Sequence, residues 1–151
     1  MDRATLILSL MAFILVALAT PFQLVGVPLA PIVAVVMGAV AGWWTLRIHR
    51  EQGAAQGARA GALVGVAALL GAVVALGVIA LGVGSLPAVQ DYVRASEPHP
   101  EARIPVELIT PLATVGGVMT GFVLGVGDLI LSALAGWVAA LLYRRGHAAS
   151  V

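Results

Sequence analysis

Apolar positions along this chain gather into four long runs, separated by one turn and two polar stretches. The first run follows the short polar start Met1–Arg3 and reads as a helix over about 4–25, with Pro21 kinking its end. Ala17-Leu18-Ala19 fits a signal-peptide cleavage site, but the preceding segment is barely basic, so the run is taken as a retained membrane helix. Pro21, Gly26, Pro28 and Pro31 form a tight turn between antiparallel helices. The second helix covers about 27–46 and repeats Ala34, Gly38 and Gly42 every four residues, a face suited to close helix contact. A polar stretch, 47–59, precedes the third helix at about 60–86, whose small-residue face carries Gly57, Gly61, Gly65, Ala68, Ala72 and Ala75. Residues 87–105 read as a polar external loop, and the last helix runs over about 109–143.

That last run is the organising stretch. Thr110, Thr114, Gly117, Gly121, Gly125, Asp128, Ser132 and Ala135 follow one another at spacings of three or four, which places them on one narrow stripe. The other faces carry Met119, Phe122, Val123, Ile130, Leu134, Trp137, Val138 and Leu141. The run is 35 residues long from Ile109 to Tyr143, roughly 50 Å as a helix against a hydrocarbon core of about 30 Å. Three arrangements compete: a tilted helix that projects from the bilayer, a break near Gly125-Val126-Gly127, or two short spans. The continuous stripe favours the first, and an apolar end outside lipid then needs a cover, from the 87–105 loop or another subunit.

Composition agrees with a bilayer as solvent. The chain is 61% hydrophobic and 10% charged, with a mean hydropathy of +1.06; soluble domains carry about 25% charged residues. A net charge of +1 gives no field to attract nucleic acid. The absence of cysteine excludes disulfides and thiolate metal sites. Basic residues cluster at 47–59 and at Arg144-Arg145, so the positive-inside rule puts both termini and the 47–59 stretch in the cytoplasm. The expected fold is all-α, a single transmembrane domain over 1–151: a polytopic four-helix bundle with a long last helix. The expected location is a prokaryotic cytoplasmic (inner) membrane. Trp43, Trp44 and Tyr143 sit where interface anchors belong.

Two internal matches stand out. Pro28-Leu29-Ala30 with Gly38 and Gly42 matches Pro111-Leu112-Ala113 with Gly121 and Gly125, and Ala41-Gly42-Trp43 matches Ala135-Gly136-Trp137, at a different offset. Duplicated hairpins would explain either, but alanine- and glycine-rich helices also match by chance. The AGWW that closes the second helix, the GARAGALVG that opens the third and the ALAGW of the last give a layout that resembles small four-helix prokaryotic integral membrane proteins of unknown function. Such proteins have no assigned catalytic residues, so the resemblance carries no role over to positions here; no cofactor is expected.

Chemistry-bearing residues are few. Asp128 is the one ionisable side chain deep in an expected span, which marks it for proton or cation handling, with Thr114 and Ser132 on its stripe. The plainer reading is a helix cap or a hydrogen bond to Ser132. The glycines at 117, 121, 125, 38, 42, 61 and 65 read as helix-packing positions, within the chain or between subunits. His49, His99 and His147 lie apart in polar segments, so no metal site is expected. Three functions follow. The first is a non-catalytic accessory subunit or homo-oligomer, partnered by lipid and other membrane subunits. The second is a small transporter or channel that uses Asp128. The third, a lipid-directed enzyme, would have only Asp91, Glu97, His99 and Glu101 to draw on.

Overall fold

The computed structural model describes residues 3–48, 53–96 and 104–148. Those residues form five helices: α1 (Arg3–Gln23), α2 (Leu29–Ile48), α3 (Ala54–Gly84), α4 (Pro87–Ser96) and α5 (Val106–Ala148). All but α4 are long and apolar enough to cross a membrane.

Local chemistry explains the boundaries. Pro21 lacks the N–H that would continue the ladder, and α1 ends two residues later. Val27 N–H then donates to the Phe22 carbonyl at 3.0 Å, and Gly26 N–H to the Gln23 carbonyl at 3.0 Å. This is a Schellman closure, and it requires the left-handed backbone that Gly26 adopts at φ +83°. Pro28 follows at once and prevents a restart in the same direction.

Three sequence expectations change. The third helix starts at Ala54 rather than near residue 60, because Ala54–Arg59 contains good helix formers behind an extended Gly53. The start is anchored: Ala54 is buried against Leu46 and Ala140. The expected 87–105 loop contains α4, with Pro87 at the first helical position, where its missing N–H costs nothing. The last helix begins at Val106 and reaches Ala148, and it runs unbroken through Gly125-Val126-Gly127. Pro111 falls in its second turn without interrupting it.

α3 lies at the centre. It packs on α5 along nearly its whole length and also touches α1 and α2, while α2 packs on α5 and α1. The core is built from small residues. Val16, Ala19, Ala30, Ala34, Ala68 and Ala72 form one layer. Ala12, Met37, Ala41, Ala60 and Val64 form the next. Large aliphatic and aromatic side chains such as Leu18, Val36, Leu70, Phe122, Ile130 and Leu134 point outward instead. In water that would be a severe liability; in lipid the outside is as apolar as the inside, so close packing of small residues drives association. The chain is a multi-pass, all-helical membrane protein.

Candidate functional site

The site begins with how closely three backbones approach. α3 and α5 run antiparallel, and the run of glycines along their seam passes from one helix to the other halfway. In one half α3 supplies it: Gly57 faces Ala140 and Gly136, Gly61 faces Ser132, and Gly65 faces Leu129. Beyond this α5 supplies it: Gly125 faces Leu69, Gly121 faces Ala72 and Val73, and Gly117 faces Leu76 and Ala80. A Cβ at Gly121 would lie 2.7 Å from the Val73 Cα, and one at Gly65 would lie 2.8 Å from the Leu129 Cα. From α2, Gly38 abuts Ser132 and Gly42 abuts Gly136. Gly38, Gly42, Gly57, Gly61 and Gly136 therefore converge on one knot where α2, α3 and α5 meet main chain to main chain.

Ser132 sits at the edge of this knot, fully buried, and its hydroxyl donates to the Gly61 carbonyl at 2.8 Å. Asp128 is one turn earlier on α5 and only 3% exposed. Its Oδ2 is buried without a hydrogen-bond partner among the described residues. The contacts of Gly38 with Ser132 and of Gly42 with Gly136 fix the α2–α5 register, which continued by one turn sets Asp128 level with Ala34. On α3 the same level falls between Leu69 and Gly65. Asp128 is thus the α5 member of a layer otherwise built from alanines and Val16. One turn further along α5, Leu124 lines a groove of about 270 Å³ with Gln23, Leu24, Gly26, Val27 and Pro28. Gln23 Oε1 in this groove is also buried and unpartnered.

The remaining sequence candidates lie elsewhere. Thr114 is half-buried and donates to the Thr110 carbonyl at 2.9 Å; it stands fourteen residues from Asp128, about 21 Å along the helix, and does not join it. Thr110 donates to the Gly84 carbonyl at 2.9 Å, which also accepts from Gln90 Nε2 at 3.2 Å, tying α3, α4 and α5 at that end. Trp43 and Trp44 are partly exposed near the end of α2, and the Arg47 guanidinium lies 5.3 Å from the Trp43 ring centre. Tyr143 packs beside the Leu46–Ala54–Ala140 cluster. His49, Glu97, His99 and Glu101 lie outside the described residues, as does the side chain of His147.

Two residues were underestimated by sequence reasoning. The stripe continues from Ser132 to Gly136, one turn on, and not to Ala135. Ala135 instead lines an apolar groove of about 390 Å³ with Val35, Ala39, Leu131 and Val138. The signal was available, because the two Ala-Gly-Trp motifs differ by the same offset as the α2–α5 register, so Gly42 and Gly136 meet face to face. Gln23 looked like an ordinary polar residue at a turn; only the fold brings it near Leu124. No family model, curated protein or solved structure matches the chain.

Proposed function

We propose that this protein is a non-catalytic membrane module, a small accessory subunit that packs against another membrane protein, with a second copy of itself as the alternative partner. One observation carries this reading: its two helical hairpins do not fit the same bilayer. α1 and α2 have 21 and 20 residues, about 30 Å each, which matches the hydrocarbon core. On α5, Asp128 is the only charged residue between Glu107 and Arg144. Its apolar length from Leu108 to Leu142, 35 residues, is about 52 Å. Bringing that length inside 30 Å needs a tilt of roughly 55°, beyond the usual range. The same tilt would leave α1 and α2 spanning about half the core.

Where α5 extends past the α1–α2 turn, the exposed surface is apolar on both helices of the longer hairpin. Val78 and Leu81 of α3, with Leu112, Val115 and Met119 of α5, are each more than half exposed. Neighbouring protein can cover that surface without straining the bilayer. Native mass measurement after purification in mild detergent tests the proposal. A defined stoichiometric assembly is expected, and a lone monomer at every detergent-to-protein ratio would count against it. A second reading, a small transporter or channel for protons or cations, is favoured by the unpartnered Asp128. It predicts flux in liposomes that Asp128→Asn abolishes, and unchanged flux in that variant would sink it.

A further inference from the structure

We propose that Asp128 is a proton-binding site in exchange with the aqueous phase on the side of the α1–α2 turn, reached through the groove between Gln23 and Leu124. The inference is independent of the subunit reading. It stands on two buried, unpartnered oxygens and on a groove that Gln23 lines and that ends at Leu124, one helical turn from Asp128.

A buried carboxylate without a donor is costly in apolar surroundings, and proteins meet that cost with a partner charge, a metal or a proton. No partner charge among the described residues stands at this level. α2 presents Ala30, Ala34 and Met37 there, and α3 presents Val64, Gly65, Ala68 and Leu69. α1 contributes Val16, Ala19 and Thr20 to the same part of the core, and the Thr20 hydroxyl already donates to the Val16 carbonyl at 2.7 Å. The nearest described cation along α3 is Arg59, six residues before Gly65 and exposed, about 9 Å further down the helix. Arg47 on α2 is thirteen residues from Ala34, Arg3 is at the start of α1, and Glu107 and Tyr143 are more than fourteen residues away along α5.

The donor set suits a proton better than a metal. A hard cation takes six or more oxygens, whereas one carboxyl with a hydroxyl already committed to Gly61 supplies too few. No group of three or more acidic or histidine ligands exists among the described residues.

Direction follows from helix geometry. Side chains on a helix lean toward its N-terminus, so the Asp128 carboxyl leans toward Leu124 and the groove. Gln23 Oε1, an acceptor without a donor, lines the same groove. Asp128 does not itself line the groove: it lies one helical turn behind Leu124, and both oxygens are shut off from open volume, so movement of Leu124 is what would admit a short chain of waters that donate to both. The carboxylate oxygen gains an O–H bond as one O–H bond of a hydronium ion in the groove breaks and leaves water; the reverse step returns the proton to a groove water and regenerates hydronium.

The test uses the full chain in liposomes. Infrared difference spectra follow the carboxyl C=O band while the pH on each side is stepped separately. The expected result is a protonated-carboxyl band that tracks the pH on the turn side and is absent in Asp128→Asn. Leu124→Trp, which fills the groove, should slow the response several-fold while leaving the band in place. Because Asp128→Asn also alters packing, the wild-type chain is treated in parallel with a hydrophobic carbodiimide, which modifies protonated carboxyls. An adduct mapped to Asp128, with a yield that falls as the turn-side pH rises, supports the site. A band indifferent to pH on both sides, a response to the opposite side only, or an Asp128 unmodified at every pH overturns it.

Discussion

A glycine matters here only where something stands in the place of its missing side chain, and the structure separates the cases. A Cβ at Gly136 would fall 2.5 Å from the Gly57 carbonyl oxygen and 3.1 Å from that of Gly38. Both obstacles are backbone on other helices, so neither can rotate away, and overpacking of this kind costs about 1–3 kcal/mol. Gly127, nine residues earlier, has no atom within 4 Å of its would-be Cβ. There alanine removes only a poor helix former, a gain of up to about 1 kcal/mol. Gly136→Ala should therefore destabilise the protein by about 2 kcal/mol and Gly127→Ala should be neutral or stabilising, as read from unfolding in mixed micelles. Equal losses in the two variants would mean that the knot around Gly136 is not what holds α2, α3 and α5 together. Spacing along the helix already separates the two, since Gly136 lies one turn past Ser132 on the stripe and Gly127 lies off it.

Whole elements were more legible than their ends. Four apolar runs gave four spanning helices because length and hydrophobicity decide that question with little help from tertiary structure. The polar segments misled. Residues 54–59 look like a loop because they include Gln56 and Arg59, yet a polar face is no obstacle to a helix that continues an apolar one. α4 was hidden by the same bias, since Gln90, Asp91 and Arg94 suggest solvent rather than coil. The continuity of α5 was readable because its small-residue stripe never loses phase across Gly125 and Gly127, and a break would have shifted it. Its contacts from Thr110 to Ala140 take about eight steps over thirty residues. That spacing of about 3.75 exceeds the 3.6 of a straight helix and suits a right-handed wrap of α5 on α3. What the stripe could not reveal was its partner, because dividing the seam's glycines between two helices, half of its length each, leaves each sequence with only half the pattern. The site was legible to the same degree: Asp128 stood out by its isolation, while the groove at Gln23 and Leu124 depends on where the α1–α2 turn docks.

At the scale of the molecule the unresolved tension is between two lengths built into one bundle. α3 holds the short hairpin against the long one, so the two cannot choose separate tilts, and whichever fits the bilayer leaves the other mismatched. Mismatch costs fractions of a kcal/mol per Å, so roughly 20 Å of surplus apolar helix amounts to several kcal/mol, enough to favour a protein neighbour over distorted lipid. Val115 provides a clean probe of that neighbour. It is 60% exposed on the stretch of α5 beyond the short hairpin. In the lone chain, Val115→Arg in detergent should change stability by no more than about 0.5 kcal/mol, as surface substitutions do. In an assembly that covers this surface it would bury an unpaired charge, a loss of about 3–5 kcal/mol and more than a hundredfold in affinity. The expected outcome is a variant that folds like the parent but purifies without the mass that accompanies it. If Val115→Arg keeps that mass, the covering surface lies elsewhere, and the long hairpin must meet its excess length with lipid alone.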